Sequence, residues 1–594
     1  MQLYSMDIVL GQDMNDNPLF IFASSLRPRD ILEKMKFFTE SVERRVGVLY
    51  GLRRTGKSVL LRQWLMGLPE DLKKKAAYIT VDSESLYDIK KDLKTLRENG
   101  YRYVALDEIT ICKDFIDYSA PLADMFAGSG MKIFLAGTDS LSLWLTSVGR
   151  LFDRDYILHT TAISFAEWKR LFGNVTLDDY IRFGGLLHHE PTEGEDRHSP
   201  PLPWTAQAVR QYFSASISSN IQNSLRNYKD GERAGILSDL LYSSTMDEAV
   251  YGLFGSVTRQ EFIKTMEGLS SICEKNFHSA LQSVVSHNGH KFNPQIMRKK
   301  FKPSDISRTA HALAKKDLKL HDILHRLAID LRSNAEKILQ VRDVNNTLLT
   351  SAQFIEIEKY LRRLEVFAMR PSRAFLPVSP SIEDVENYEQ LNIELNTQNI
   401  VVQPGLRFSQ ADILLSIIET SQIYNLLDSD EKEKIRKYFL DGVYGIMQED
   451  IVLYETMQLC KKYGCMNPGD NDISRYMSLP VNAYRAEFPG TSLDPMDKEI
   501  DMIIEDSRED REFYCFEIKH SDKCDINQAK WIDDADVCSR IQCNSGKIVS
   551  KVILYRGDSC TIDDNIRYLN IESYLDMIYS HDIISILDFL KIKK

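Results

Sequence analysis

The sequence predicts an α/β protein. A parallel sheet covered by helices on both faces comes first, then a helical middle, then a second α/β unit at the C-terminal end. Three observations carry this prediction. An apolar strand runs straight into a glycine loop and a helical pattern in "RVGVLYGLRRTGKSVLLRQWLMGL", residues 45–68. Further short apolar runs alternate with helical segments up to about residue 140, the rhythm of a buried parallel sheet. After Asp441 strands return, with a helix before them and helices closing the chain.

The bulk composition sets limits. A chain of 594 residues is too long for one core and suggests roughly three to five domains. With 43% hydrophobic and 27% charged residues it is ordinary globular material. No apolar run approaches the roughly 20 residues that span a bilayer, and "MQLYSMDIVLGQDMNDN" lacks a signal peptide's basic start and apolar middle. A cytoplasmic protein without a membrane partner is expected. Nine cysteines, an odd number without a repeating framework, fit reduced thiols better than disulfides. The net charge of −12 does not announce nucleic-acid binding. The balance is local, however: Lys291 to Arg342 holds thirteen Lys or Arg against five Asp or Glu. Such a stretch is either a solvated helix face or an electrostatic footprint for a polyanion.

The elements follow in order. "AAYITVD" (76–82), "YRYVALDE" (101–108) and "MKIFLAGTDS" (131–140) read as strands beside the first one, at 45–50. Glu190–Pro203, with four prolines and no periodicity, reads as an exposed loop. Residues from about 205 to 375 are helical in pattern, ending in "SAQFIEIEKYLRRLEVFAM", an amphipathic helix of the kind that stands beside a small wing. Near the end, "GIMQEDIVLYETMQLC" is a helix, and "EIDMII", "EFYCFEIKH" and "KIVSKVILY" are strands.

"GLRRTGKS" fits G-x-x-x-x-G-K-[ST] from Gly51 to Ser58. Gly51 and Gly56 let backbone N–H groups turn inward around phosphates. Lys57 reaches the β and γ oxygens, Ser58 offers a hydroxyl to Mg²⁺, and the helix N-terminus adds its positive dipole end. The candidate ATP-binding residues are therefore Gly51, Arg53, Arg54, Thr55, Gly56, Lys57, Ser58 and Val59. "VALDE" brings Asp107 to the sheet edge to hold the Mg²⁺ shell, and Glu108 to polarise a water or stand as a solvated loop carboxylate. The next strand places Thr138 or Ser140 near the γ-phosphate. Arg150 is either a surface residue or the arginine that senses transferred phosphate, in cis or from a neighbouring subunit.

A second constellation lies at the other end. Strand alternation puts Glu517 and Lys519 of "CFEIKHS" on one face, and an antiparallel neighbour carrying Asp501 brings the three together. Glu455 of "VLYET" lies on a helix able to pack beside them, and Gln528 begins another helix. Two or three carboxylates can hold Mg²⁺ over a phosphodiester while a lysine steadies the developing charge. The spacing is weak by itself, since an acid two before a lysine also occurs at Asp71–Lys73, Asp88–Lys90, Asp317–Lys319 and Asp430–Lys432. A plain salt bridge on a strand pair explains it equally well. Cysteines 515, 524, 538, 543 and 560 lack the tight C-x₂-C pairs of an iron–sulfur site and read as buried thiols.

"VLYGLRRTGKSVLL", "ALDEIT", "FLAGTDSLSLWL", "GRLFDRDYILHTTAISFAEW" and "YIRFGGLL" follow in an order that resembles the archaeal-type P-loop ATPases. These are AAA+-like proteins with a winged helix and, very often, a C-terminal PD-(D/E)XK nuclease-like domain. "KYLRRLEVF" looks like the end of the winged-helix segment, and "AYRAEFPG…KEIDMII…CFEIKHS" like the nuclease-like domain, with Glu455 where the family's helix glutamate stands. The resemblance covers about residues 20–220 and 440–560. It implies a leader over 1–20, an AAA+-like ATPase domain over 21–220 and a helical insertion over 221–300. A winged-helix-like segment over 301–375, a helical linker over 376–440 and a PD-(D/E)XK nuclease-like domain over 441–594 complete the arrangement.

The expected function is ATP binding and hydrolysis coupled to action on DNA, with a Mg²⁺-dependent nuclease, in mobile-element or defence biology. Catalytic roles fall to Lys57, Glu108, Arg150, Asp501, Glu517 and Lys519, and metal-binding roles to Ser58, Asp107, Glu455, Asp501 and Glu517. The alternative is an ATP-driven regulatory switch or scaffold whose nuclease-like domain is inactive and serves docking or DNA binding. A homo-oligomer suits AAA+-like machinery, without a subunit number.

Overall fold

The structure, a computed structural model, describes residues 4–173, 175–187, 204–227, 235–241, 245–259, 261–263, 326, 350–381, 384–386, 388, 391, 395, 398–490, 497–543, 546–563 and 565–591. The basic stretch Lys291–Arg342, apart from Arg326, and the loop Glu190–Pro203 lie outside the described residues, as do most of the helical insertion and the first half of the winged-helix-like segment.

The chain divides into two compact units. The first comprises residues 1–251, 342–406 and 447–594. Its N-terminal sheet contains β1 (Asp7–Leu10), β2 (Val46–Tyr50), β3 (Ala76–Thr80), β4 (Tyr103–Asp107), β5 (Lys132–Ala136) and β6 (Asp155–His159), in the order β1-β3-β4-β5-β2-β6. All neighbours are parallel except β1, which runs antiparallel to β3. The strand "VGVLY", between β5 and β6, is buried at every position, as a strand covered on both faces must be. Trp64 and Phe38 stack edge-on against Phe134 on one face. Val48, Leu106 and Leu135 join the cluster on the other.

The stretch read as a leader, residues 1–20, holds regular elements of this unit among its described residues. β1 is an edge strand of this sheet, and α1 (Pro18–Ser25) begins inside the same stretch, with Pro18 in the first turn and the Asn17 side chain accepting from the Leu19 N–H. α2 (Ile31–Glu40) follows, and α3 (Lys57–Met66) leaves the glycine loop.

The C-terminal sheet of the same unit holds β8 (Ser372–Ala374), β10 (Val481–Phe488), β11 (Lys498–Asp506), β12 (Glu512–Ile518), β13 (Lys547–Tyr555), β14 (Cys560–Asp563) and β15 (Ile566–Asn570), in the order β14-β15-β13-β12-β11-β10-β8. β11 and β12 pair antiparallel, with Met502 opposite Phe516, as the alternation argument requires. β13 then joins β12 in parallel. The sheet's far edge, β8, comes from the segment assigned to the winged-helix-like region. The described part of that region also holds the helix Ser351–Arg363 and β7 (Phe367–Met369), which pairs antiparallel with β9 (Asn399–Val401) from the stretch read as a helical linker.

The second unit comprises residues 252–341 and 407–446. Its described part is helical: Arg407, almost fully buried, pairs with Glu261 at 2.6 Å, and Arg259 donates to Gln410 at 3.0 Å. Pieces read from sequence as a separate insertion and linker thus pack on each other. Among the described residues no helix is long and apolar enough to cross a membrane.

Candidate nucleotide and carboxylate sites

The glycine loop is built by conformations that few residue types tolerate. Gly51 sits at φ +150° with no room for a Cβ, which would lie 2.2 Å from the Thr160 hydroxyl. Gly56 takes φ +85° to launch α3. Arg54 holds a left-handed φ of 63° and places its guanidinium over the Trp204 and Tyr212 rings. Lys57 is buried, and its Nζ donates to the Gly51 and Leu52 carbonyls at 2.6 and 2.8 Å. Burial pushes the Lys57 ammonium down to about 8, with Glu108 and Asp107 opposing. Thr55 faces inward, donating to Leu52 O and sharing a 2.8 Å hydrogen bond with Thr160.

Asp107 ends β4 in a buried position and accepts a hydrogen bond from the Tyr78 hydroxyl at 2.5 Å. Glu108 follows at φ 61°, and its carboxylate accepts from the Thr138 N–H at 3.0 Å and the Thr138 hydroxyl at 2.6 Å. Of the two alternatives on β5's exit, Thr138 thus faces the glutamate. Ser140 instead donates to the Gly51 carbonyl and braces the loop. Arg150 does not join them in cis: it is exposed after the helix Ser140–Ser147 and is not among the residues lining the cavity.

That cavity, of about 1110 Å³, is lined by Arg53, Arg54, Gly56, Lys57, Ser58, Val59, Glu108 and Thr138 of the predicted set. Its remaining walls escaped the sequence reading. Phe22 of α1, Leu26 just after it, Leu171 and Phe172, and Leu187 give it an apolar end suited to a base. Tyr212, Ser214 and Ser216 also line it, with Tyr212 bonded to the Arg53 carbonyl of the loop. Arg29 is the buried brace behind the loop: it pairs with Glu167 at 2.6 Å and donates to the Thr55 carbonyl at 2.8 Å. These residues come from distant segments with no motif of their own. Only the helical periodicity of 18–40 could have flagged the first of them.

At the C-terminal sheet, Lys519 Nζ stands 3.2 Å from Asp501 Oδ2 and 2.5 Å from Glu517 Oε2. Asp501 also accepts from the Ile518 N–H at 2.7 Å. Asp501 is 5% and Glu517 1% exposed. Burial, then the Asp501 charge, pushes the Glu517 carboxyl up to about 8, against the opposing Lys519. Burial disfavours the Lys519 ammonium, but Asp501 and Glu517 outweigh it and hold its pKa above the ordinary lysine value.

Glu455 does not join this group. It accepts from the Phe165 N–H at 2.7 Å and so caps the helix Phe165–Phe172, which carries Glu167 at its start and the cavity residues Leu171 and Phe172 at its end. Burial, reinforced by Asp576 and Glu167, raises the Glu455 carboxyl to about 8. The helix residue that faces the cluster is Glu449, about one and two-thirds turns earlier on the helix Ser429–Tyr463. Burial and the Asp501 charge hold Glu449 well above the usual carboxylate range, with Arg485 and Lys519 opposing. Gln528 is occupied in a capping box with Asp525. Of the cysteines, Cys515 is buried mid-strand as expected, while Cys538 is half-buried and Cys543 exposed. The expectation of separate thiols fails at Cys524 and Cys560, which are paired as a disulfide.

Among the described residues no group of three or more His, Cys, Asp or Glu side chains is arranged to hold a metal ion by itself. The donors still suit a hard divalent cation: they are carboxylate oxygens, and Glu517 Oε1 is buried without a hydrogen-bond partner.

Against known proteins, residues 43–169 match the model of an AAA domain. A comparison with curated proteins gave no match. Among solved structures, the chain is similar to the Walker-type ATPase PABY2304 of Pyrococcus abyssi, at 12% identity and a TM-score of 0.24, over 65% of this chain and 99% of that one. It is also similar to the Hsp104–ADP complex of S. cerevisiae, at 12% identity and a TM-score of 0.23, over 76% of this chain and 61% of that one. The family match spans β2 to β6 together with the glycine loop, so residues 43–169 form a P-loop domain similar to an AAA domain.

Proposed function

We propose that this protein hydrolyses ATP and acts on DNA, and that its C-terminal sheet is a Mg²⁺-dependent, PD-(D/E)XK-type nuclease domain. The observation that carries the nuclease reading is the contact of Lys519 with both Asp501 and Glu517 on adjacent antiparallel strands, with Glu449 facing them from a helix. On this reading the segment 301–375 is a winged helix that helps grip DNA, and the basic stretch Lys291–Arg342 neutralises phosphates. The protein works in the cytoplasm, as a homo-oligomer in the manner of many AAA-like ATPases.

In the ATPase half, Lys57 releases the Gly51 and Leu52 carbonyls to meet the β and γ phosphate oxygens. Glu108, held by Thr138, takes a proton from water as the water oxygen attacks the γ phosphorus, and ADP leaves with the electron pair of the broken P–O bond. Ser58 and Asp107 would hold Mg²⁺ there. In the nuclease half, Glu449, Asp501 and Glu517 would hold the ion. Bound Mg²⁺ supplies charge neutralisation and an acidified water. Lys519 offers its ammonium to the phosphate as negative charge develops, and its charge opposes the burial that raises the Glu517 carboxyl.

One observation favours a second reading. Lys519 already pairs with Asp501 and Glu517, which is also the arrangement of an inert structural ion pair in a DNA-docking or partner-docking domain. The test is incubation with linear, circular and single-stranded DNA, with Mg²⁺ or Mn²⁺, with and without ATP, beside Lys519→Ala and Asp501→Ala. Cleavage by the wild type alone supports the nuclease. Equal survival of every substrate with all three proteins sinks it and leaves the ATP-driven switch.

A further inference from the structure

The match to an AAA domain ends at residue 169, yet one wall of the nucleotide cavity comes from residues 208–216. This wall and the helix after it, Ser219–Arg226, are bonded to the loop and to the exit of β5. The Tyr212 hydroxyl donates to the Arg53 carbonyl at 3.1 Å, and the Arg53 guanidinium reaches the Ala215 carbonyl at 3.4 Å. Behind them Asn220, 2% exposed, spends both ends of its amide on β5's exit. Its Oδ1 accepts from the Leu141 N–H at 3.0 Å, and its Nδ2 donates to the Thr138 carbonyl at 3.2 Å. A flipped amide would set donor against donor and acceptor against acceptor, so the orientation is fixed.

Thr138 is the residue that binds the Glu108 carboxylate through its own N–H and hydroxyl. Glu108 stands on a left-handed φ of 61°, which a glutamate adopts only when its surroundings enforce it. The geometry points to Asn220 as a positioning residue for ATP hydrolysis, one that fixes Thr138 and through it the place of the Glu108 carboxylate. Asn220 touches neither phosphate nor water. Its contribution falls on turnover and spares nucleotide affinity, because Lys57 and the loop amides bind phosphate without it. The inference rests on the ATPase reading and extends the machinery to a helix beyond the AAA match.

The experiment uses the full chain, with ADP affinity from a fluorescent-nucleotide titration and ATP turnover from phosphate release. Asn220→Ala should lower kcat by about 10- to 100-fold, the scale of a slightly misplaced catalytic group. Asn220→Asp, nearly isosteric, keeps the acceptor for Leu141 but loses the donor to Thr138, and should fall in the same direction. It decides the question if the alanine variant does not fold. ADP affinity should stay within about twofold in both. Ser224→Ala removes the 2.8 Å hydroxyl pair with Ser142 on the same helix and should leave kcat within about twofold. Asn220→Ala should add nothing further in a Glu108→Gln background, since both act on one group. Wild-type turnover in the Asn220 variants overturns the assignment. So does a loss of affinity equal to the loss of kcat, or a full additional loss in the Glu108→Gln background. A wild-type chain that binds ADP but never turns over ATP defeats the ATPase reading itself.

Discussion

The candidate phosphate loop is eight consecutive residues, Gly51 to Ser58, whereas the carboxylate cluster draws Glu449 from a helix, Asp501 and Glu517 from two strands and Lys519 from just past the second. The difference is chemical. A phosphate cradle is made of backbone N–H groups, so neighbours in sequence are neighbours in space. A carboxylate site needs side chains from separate elements, because like charges gather only where the fold forces them together. The first site therefore tolerates change around it, and the second depends on burial and on Lys519 as its counter-charge.

The largest effect that can break this comparison is at Glu108. Glu108→Gln should keep nucleotide binding and lose turnover by about 10²- to 10⁴-fold, measured by phosphate release. Lys57→Ala should weaken ADP binding by about 10- to 100-fold in a titration, the cost of a lost charged hydrogen-bond donor. Undiminished turnover in both variants would mean the loop does not serve ATP.

The next comparison lies on one helix. Glu449→Gln should slow DNA cleavage by about 10- to 100-fold while Glu455→Gln leaves cleavage near wild type, read on linear DNA with Mn²⁺. The reverse order would restore Glu455 to the metal site.

Glu455→Gln has its own signature in stability. The folded carboxyl titrates at about 8, and an unfolded glutamate near about 4.3. Between those values the folded chain keeps a proton that the unfolded chain releases. Stability is therefore fully present below the lower value and is lost as pH rises through the upper one, at no more than about 1.4 kcal/mol per unit. Urea melts at about pH 5 and pH 8 should show a smaller decline in Glu455→Gln than in the wild type. An identical decline would remove Glu455 as its source. The smallest effect belongs to Arg150→Ala, whose exposed side chain should leave ADP affinity within about twofold. A larger change would show that Arg150 reaches a nucleotide after all.

Strand alternation was enough to foresee that Asp501, Glu517 and Lys519 meet, since period two fixes faces once two strands pair. The P-loop strand and the Thr138 strand were legible for a similar reason: buried parallel strands read as continuous apolar runs. β1 and β6 were not, because β1 has only three apolar residues after Asp7 and β6 is bounded by Asp155 and His159, so each is recognisable only beside its neighbour.

By itself the sequence determined a glycine loop between a strand and a helix, an acidic strand end, and a carboxylate–lysine pair on neighbouring strands. These depend on residue type at short spacing. Only the tertiary structure decided that Glu449 rather than Glu455 faces that pair, since six residues turn a helix by roughly 240° beyond a full revolution and set the two side chains on different faces. It also decided that the apolar end of the nucleotide cavity comes from Phe22, Leu26, Leu171, Phe172 and Leu187. And it set the pKa of Glu517 and Glu455, because desolvation depends on what packs around a carboxylate and leaves no mark in the residues beside it.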